Sequence, residues 1–355
     1  MKKVAFQAFP LAVAFLVASC GALPGEGPVN TLTIYDFEGG WDFFEADSSG
    51  DYWINNAHGI AQYDSSQDVW VQYTKGADFD IRSNDKGPIA VDGDDIWIGY
   101  GWANDPTGLG VTRWNRSTDT FTHYAADLGT PNMPGGPVWT IQKKDDGNIW
   151  VGTRFDYACA YFDGTSWHQF LIESGATYFD CNTIAFSTNY GFFQSYRGGL
   201  HVYDFSTSEW LHTEHGVSNG TESFMDRGFY NSCLLVQSFQ DLYLSTTNNI
   251  AGGDPLADGI WHYDGTQWSN ISPAAYENEE VTSALTLGPD GSLWALFHQD
   301  KRIRVWNGSS WTEWAPAGTT ITEDYYFRPI HFDGEYMWLA LVNDGTSTYA
   351  RYKLL

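Results

Sequence analysis

The chain has 355 residues, of which 44 are acidic and 18 are lysine or arginine, so its formal net charge is −26. A protein this acidic is not expected to bind nucleic acid or an anionic lipid surface nonspecifically, because each of these partners is negatively charged like the protein and would repel it. Aromatic residues make up 17% of the sequence and recur periodically, so most of them are expected to pack inside a repeated unit.

The first 19 residues are typical of a bacterial lipoprotein signal peptide. Lys2 and Lys3 form a positive start, an apolar run extends from Val4 to Val17, and small residues precede Cys20. This order resembles the lipobox, in which the chain is cut before the cysteine and the thiol receives a diacylglycerol. We therefore expect removal of residues 1–19 and lipidation of Cys20, with the membrane as a partner through that lipid. The alternative is an ordinary secretory signal with a chance cysteine.

The segment after the cysteine is expected to be a tether. Residues 20–29 are rich in glycine and proline and show no periodicity, which is typical of a flexible linker. Gly21, rather than an aspartate, follows the cysteine, which in a Gram-negative cell resembles the outer-membrane sorting pattern. We therefore expect a lipid-anchored protein of the cell envelope. Its charge is −28 once the two lysines of the leader are subtracted from −26.

The clearest structural unit lies at 136–170. It predicts four short strands, Val138–Gln142, Ile149–Val151, Ala160–Phe162 and Trp167–Leu171. Turns are predicted at 145–148, where Gly and Asn accept positive φ, and at 163–164, where a type I′ hairpin is expected. Four antiparallel strands in about forty residues are typical of one propeller blade.

Copies of this unit occupy the rest of the chain. The second-strand aromatic recurs at intervals of 43 to 53 residues. It occupies positions 53, 97, 150, 193, 243, 294 and 338. Six copies are complete, and the seventh lacks its fourth strand. The run from Thr31 to Phe37 alternates like a strand, so we expect it to pair with the third strand of the last blade. Residues 30–355 are thus predicted to form an all-β, seven-bladed β-propeller of four-stranded antiparallel blades, with the ring closed by an N-terminal strand.

The repeat resembles that of the two-component regulator propellers. The resemblance is clearest in the runs Asn148–Thr153 and Asp95–Tyr100, and it covers nearly all of 30–355. It implies an extracytoplasmic, ligand-binding propeller. We find no membrane-spanning, kinase or DNA-binding segment after the propeller, so we expect binding rather than signalling. The repeat is also similar to the virginiamycin B lyase propeller, but no His/Glu constellation of a lyase maps onto this sequence.

A binding site is expected where loops converge at one end of the ring. In a propeller the connections between strands two and three lie on the same face as those between blades, and pockets commonly form there. The candidate ligand-binding residues on that face are Trp102, Arg154, Asp156, Tyr157, Arg197, Arg227, His298, Tyr325 and Arg328. Arg154 and Arg197 occupy matching positions in adjacent blades and could clamp a carboxylate or phosphate. The alternative is that each arginine pairs with a nearby aspartate.

No catalytic set, metal-ligand spacing or cofactor motif stands out among the nine scattered histidines. The sequence therefore favours a monomeric binding or interaction scaffold for a small-molecule, saccharide or peptide ligand, with the catalytic residues unknown. An envelope enzyme, either a lyase or a glycoside hydrolase acting on a saccharide at the same face, is the alternative. A third hypothesis is an assembly factor that presents a blade edge to an extended peptide.

Three cysteines remain besides Cys20. Cys181 and Cys233 fall at matching positions, at the start of the innermost strands of their blades, and Cys159 ends the loop before a third strand. In an oxidising compartment one disulfide is expected. We favour the pair Cys159–Cys181, which joins blades three and four, with Cys181–Cys233 as the rival.

Overall fold

The computed structural model describes residues 4–7, 32–38, 44–56, 58–84, 87–101, 109–154, 159–170, 181–195, 199–211, 233–246, 259–273, 285–297, 302–315, 325–333, 335–343 and 346–353. These residues are almost entirely strands and tight turns, with a single 3-10 turn at Ala126–Leu128. The described part of the chain contains no helix that is long and apolar enough to cross a membrane.

The strands group into seven sheets in chain order. Two strands precede the first complete blade: β1 (Val4–Gln7) and β2 (Leu32–Glu38). The first three blades contain β3 (Phe44–Ala46), β4 (Tyr52–Asn56), β5 (Gly59–Asp64) and β6 (Val69–Tyr73); β7 (Ile89–Asp92), β8 (Asp95–Gly99), β9 (Val111–Asn115) and β10 (Thr120–Tyr124); β11 (Val138–Lys143), β12 (Ile149–Thr153), β13 (Cys159–Phe162) and β14 (Trp167–Phe170).

The remaining four blades repeat the same antiparallel meander. They contain β15 (Cys181–Ser187), β16 (Tyr190–Ser195), β17 (Gly199–Asp204) and β18 (Glu209–Leu211); β19 (Leu234–Ser238), β20 (Asp241–Thr246), β21 (Gly259–Tyr263) and β22 (Trp268–Asn270); β23 (Leu285–Leu287), β24 (Leu293–Phe297), β25 (Arg302–Trp306) and β26 (Trp311–Trp314); β27 (Tyr325–Phe332), β28 (Tyr336–Asn343) and β29 (Thr346–Lys353). The first strands of successive blades lie beside one another, so they form the inner wall of the ring.

The predicted closure of the ring is confirmed. β2 pairs antiparallel with β29, with Leu32 opposite Tyr352 and Ile34 opposite Ala350, so the N-terminal strand becomes the fourth strand of blade seven. Closure removes the open ends that an unclosed stack of blades would leave. In addition, β1 pairs along the outer edge of β6, which gives the sheet of blade one a fifth strand.

The periodic second-strand aromatics hold the blades together, as predicted. All seven are at most 9% exposed. Six of them pack toward the following blade: the ring centroids of Trp97 and Phe162, for example, are 5.4 Å apart. Phe193 is the exception, because it faces blade three, with its ring centroid 5.6 Å from that of Trp150, and its neighbour Phe192 packs toward blade five instead. Burying such large side chains between faces that cannot be covered within one blade is the main force that favours the closed ring.

The interface between blades seven and one is an aromatic cluster built around the closing strand. Tyr35 of β2 is 2% exposed, and its ring centroid lies 5.9 Å from that of Trp338 and 6.4 Å from that of Trp70. Its hydroxyl donates to Asp68 Oδ1 at 2.8 Å. The guanidinium of Arg351 lies 4.3 Å from the centroid of the Tyr336 ring and 3.4 Å from the carboxylate of Asp68. The first and last segments of the propeller are therefore tied through one cluster.

The turn predicted at 163–164 is of a different kind. Phe162 pairs directly with Trp167, so the loop has four residues, and of these only Gly164 has a positive φ, of 93°. A type I′ turn needs two successive residues with positive φ. The carboxylate of Asp163 stabilises the loop instead, because it accepts hydrogen bonds from the backbone N–H groups of Thr165 and Ser166, each at 2.8 Å. The type I′ prediction was wrong, whereas the predicted burial of Trp167 is confirmed at 3% exposure.

Candidate functional site

The candidate face is the end of the ring at which the second strands stop. We call it the upper face, and among the described residues it is marked by Asn56, Gly99, Thr153, Ser195 and Thr246 at the ends of β4, β8, β12, β16 and β20. The connections between strands two and three and those between blades both reach this end. Turns between strands one and two lie at the opposite end, the lower face, where Lys143 ends β11.

Arg154 is the candidate ligand-binding residue whose side chain the structure describes. It follows β12 directly, and its backbone N–H donates to the carbonyl oxygen of Pro137 at 3.0 Å, which ties it to the start of blade three. The side chain is exposed, and its guanidinium lies over the ring of Trp139, 5.3 Å from the centroid. A cation held on an indole face is oriented for binding at little additional entropic cost.

Trp139 was not among the sequence candidates, although its strand carries a signal for it. On β11 the neighbours Val138 and Thr140 are buried, while Trp139 is only partly buried, so it points out of phase with the core positions. Its ring also borders blade two, because a Cβ placed on Gly101 would stand 3.7 Å from Trp139 Cδ1. Arg154 and Trp139 thus form one polar and aromatic platform at the junction of blades two and three.

The other predicted ligand-binding residues are described only in part. Tyr325 begins β27 and Arg328 lies three residues further along it, opposite Ala340, so both belong to the innermost strand of blade seven. Six candidates lie outside the described residues, namely Trp102, Asp156, Tyr157, Arg197, Arg227 and His298. The clamp formed by Arg154 and Arg197 therefore stays a prediction.

One arginine that approaches the upper face from between two blades is held in a salt bridge. Arg82 binds Asp127 through two nitrogens, at 3.0 and 2.7 Å, and donates to the carbonyl oxygen of Leu109 at 2.7 Å. This bidentate geometry matches the alternative in which arginines of the connections pair with nearby aspartates.

Two glycines at or just after the upper ends of second strands are required by close approach of the blades. A Cβ on Gly152 would stand 2.5 Å from the carbonyl oxygen of Cys181 in blade four, and one on Gly101 would stand 2.3 Å from that of Val138 in blade three. Backbone atoms cannot move aside as a flexible side chain can, so these positions exclude any larger residue. The glycines bring the upper ends of neighbouring blades into backbone contact and fix the spacing of the loops above them.

A chain of hydrogen bonds crosses the upper end of blade two. The backbone N–H of Arg82 donates to the Tyr100 hydroxyl at 3.0 Å, which in turn donates to Thr112 Oγ1 at 2.7 Å. Thr112 Oγ1 lies 2.9 Å from His123 Nδ1, and His123 Nε2 lies 3.3 Å from Asp80. Burial raises the pKa of Tyr100 to about 12, so its hydroxyl remains a donor at neutral pH.

This series of hydrogen bonds contains the residue types of an Asp-His-Thr catalytic triad, but the threonine hydroxyl is not accessible to a substrate. Thr112 is 0% exposed, and its hydroxyl oxygen already accepts from Tyr100. A nucleophile must reach a substrate carbonyl or phosphorus atom, which a fully enclosed hydroxyl cannot do. These hydrogen bonds therefore have a structural role: they hold the segment around Asp80 and Arg82 against the upper end of blade two.

A second polar feature at the upper face is Asn55, which is 2% exposed. Neither its Nδ2 nor its Oδ1 has a hydrogen-bond partner among the described residues. A buried amide of this kind costs about 1–3 kcal/mol when it is left unpaired, so a water molecule or a polar group of a ligand would be stabilised beside it. Within the described ranges, no group of three or more His, Cys, Asp or Glu is arranged to hold a metal ion.

No protein-family profile matches the chain, and no curated protein matches it either. The chain is, however, similar in structure to several solved proteins. A catalytically inactive virginiamycin B lyase from Staphylococcus aureus, with quinupristin, is 14% identical, with 92% of this chain and 99% of the lyase covered at a TM-score of 0.62. YCF48 bound to D1 peptide is 13% identical, with 91% and 96% covered at a TM-score of 0.59.

A third likeness is weaker. An extracellular domain assigned to a hybrid two-component system of B. thetaiotaomicron is 14% identical, with 88% of this chain and 47% of that chain covered at a TM-score of 0.43. At such identities the first two comparisons show a shared fold alone, and the described sheets show that this fold is a seven-bladed β-propeller.

Proposed function

We propose that the chain is a lipid-anchored, extracytoplasmic propeller that binds a ligand at its upper face, with Arg154 and Trp139 at the centre of the site. The observation that carries this proposal is the exposed guanidinium held over an indole ring, 5.3 Å from its centroid, at a junction of blades. The backbone contacts at Gly101 and Gly152 make the support beneath this platform rigid. A rigid scaffold with convergent loops is typical of binding sites in this architecture.

The platform suits a ligand that combines an anionic or strongly polar group with a flat apolar surface. The guanidinium offers N–H donors in a planar fork that matches a carboxylate or phosphate, and the indole offers a face for a sugar ring or an aromatic group. The mature chain is expected to carry a charge near −28, so an anionic ligand would be repelled at long range. Selection of such a ligand would therefore depend on contacts made locally by Arg154.

The binding proposal is tested by a thermal-shift screen on the chain from residue 20 onward, carrying Cys20→Ser. The library holds acidic saccharides, peptides with a free carboxylate and small phosphorylated compounds, each beside its neutral analogue. We expect hits among the anionic members, with the shift abolished in Trp139→Ala. Hits that stabilise this variant and the wild type equally would place binding elsewhere. Incubating each hit with the protein and analysing the products decides between binding and the alternative of an enzyme.

The anchoring proposal is tested separately in cells. The full chain and its Cys20→Ala variant are expressed in a Gram-negative host that is fed an alkyne-labelled fatty acid. We expect label and outer-membrane fractionation for the wild type alone. Equal fractionation of both proteins, without label in either, would show that residues 1–19 are an ordinary leader or that they remain attached.

A further inference from the structure

Two cysteines of adjacent blades meet in the interior of the ring, beneath the candidate site. Cys159 begins β13 in blade three, and Cys181 begins β15 in blade four. Both are 0% exposed and belong to one buried cluster that also contains Trp150 and Phe193. The cluster spans the interface between the two blades, so a bond between these cysteines would join blade three to blade four covalently.

The sulfur atom of Cys181 lies close to blade three because a glycine leaves room for it. Gly152 is paired with Cys159 in the sheet of blade three, and a Cβ placed on Gly152 would stand 2.9 Å from Cys181 Sγ. Cys181 Sγ therefore lies over the bare backbone next to Cys159. Both side chains lie in the same buried cluster, and both are thiols in this structure.

The same geometry decides against the rival pairing. A β-sheet has two faces, and blade four packs against blade three with one face and against blade five with the other. The side chain of Cys181 lies on the face toward blade three. Cys233 lies just before β19 of blade five, where its backbone N–H donates to Ser245 Oγ at 3.1 Å. Cys181 therefore faces away from blade five, which contains Cys233.

We propose that Cys159 and Cys181 are a modification site, at which a disulfide joins blade three to blade four. The reaction needs a disulfide oxidant: two thiols reduce one oxidant disulfide to two thiols, two protons pass to the oxidant sulfurs, and one S–S bond forms in the protein. The proposal rests on the proposed extracytoplasmic location for its oxidising compartment. The bond would join the first residue of β13 to the first residue of β15, and β13 belongs to the same blade as Arg154.

Burial dictates when this bond can form. Desolvation raises the pKa of the Cys159 thiol, and contact with Cys181 raises it further. Thiol–disulfide exchange requires a thiolate that the oxidant can reach, so the closed interface suppresses both the formation and the reduction of the bond. The disulfide is therefore expected to form as the blades assemble and then to resist reductants until the protein unfolds.

The test compares mass and peptide linkage in the full chain. Trypsin leaves both cysteines in the single peptide 155–197, and cleavage after Glu173 then separates them. After periplasmic expression and alkylation without reductant, we expect this peptide to be unalkylated and about 2 Da lighter than its reduced form, and its two halves to stay joined after the second cleavage. The control Cys233→Ser should keep the link, while Cys159→Ser and Cys181→Ser should lose it.

A parallel arm separates this proposal from the proposed location. The denatured, reduced protein is refolded with oxidised and reduced glutathione, which supplies the oxidant wherever the protein resides in the cell. The linked form should melt roughly 5–10 °C above the form refolded under reductant. Linkage in the refolded sample but not in cells supports the pairing and counts against an oxidising location. Three alkylated thiols in both samples, or a link from Cys181 to Cys233, would overturn the inference.

Discussion

Replacing Tyr35 by alanine tests whether the N-terminal strand closes the ring. This side chain anchors β2 in the interface between blades seven and one, at 2% exposure. Its ring packs against those of Tyr63, Trp70 and Trp338, with centroid distances of 5.7, 6.4 and 5.9 Å. The substitution leaves the backbone pairing of β2 with β29 intact, so it removes the side-chain contribution alone.

The expected loss follows from burial and cavity formation. Truncating a buried aromatic side chain to alanine costs about 3–5 kcal/mol, because the apolar contacts are lost and the interface cannot fully collapse. Three aromatic neighbours place the expected loss in the upper part of that range, since each ring pair adds about 0.5–1.5 kcal/mol beyond its buried area. Tyr35→Phe keeps the ring but loses the hydrogen bond to Asp68, and is expected to cost about 1 kcal/mol.

The assay is urea unfolding followed by tryptophan fluorescence, with the melting temperature as a second readout. Ile34→Ala is the matched control, because Ile34 precedes Tyr35 on the same strand and is 42% exposed. Its cost should stay within about 0.5 kcal/mol. Tyr35→Ala should lower the melting temperature by roughly 6–10 °C. Equal, small effects of Tyr35→Ala and Ile34→Ala would show that β2 does not hold the ring closed.

Three further predictions concern packing and charge. Gly152→Ala is expected to lower the free energy of unfolding by about 1–3 kcal/mol, because its Cβ would stand 2.5 Å from a carbonyl oxygen of blade four. The control Gly76→Ala, whose Cβ would have no atom nearer than 3.8 Å, should leave the urea unfolding curve nearly unchanged. Burial raises the pKa of Glu45 to about 7, so the folded state favours the protonated carboxyl group and the stability of the wild type should fall as the pH rises from about 4.5 to 7. Glu45→Gln should be more stable than the wild type by about 1–3 kcal/mol at pH 8. A wild-type stability that does not change over this pH range would contradict the prediction. Asp47 has the opposite sign, because burial raises its pKa but hydrogen bonds from Ser49 and Trp53 outweigh burial and lower the pKa to about 2. The Asp47 carboxylate therefore contributes up to about 2 kcal/mol of stability above pH 4, and this contribution is lost as the pH falls through 2. The urea midpoint of Asp47→Asn should accordingly fall less at acid pH than that of the wild type.

The blade count and ring closure could be predicted because they depend on patterns within the chain. Trp97, Trp150 and Trp338 recur at the blade period because each fills the same position between two sheets, and the alternation around Ile34 marks a strand that no local hairpin completes. The blade boundaries also placed Cys159 in blade three and Cys181 at the start of blade four, and both lie in the cluster between these blades.

The site could be predicted less fully, because its contacts connect residues that no repeat relates. The pairing of Arg154 with Trp139 depends on how the end of β12 lies against the start of β11. The role of Gly152 as a point of backbone contact between blades depends on the distance to Cys181, not on a turn. The turn after Phe162 was mistaken because the capping carboxylate of Asp163 replaces a second positive φ. Sequence patterns report periodicity well and such long-range contacts poorly.

The most direct test of the proposed function is the affinity of the best ligand from the screen, measured by calorimetry on three proteins. These are the wild type, Arg154→Ala, and Lys143→Ala as a control of equal charge on the lower face of the same blade, where Lys143 pairs with Asp92. Binding at the upper face predicts a loss of about tenfold or more in Arg154→Ala, since hydrogen bonds to a charged group contribute about 1.5–3 kcal/mol, and no change in Lys143→Ala. Equal affinity for all three proteins would contradict a site centred on Arg154 and Trp139.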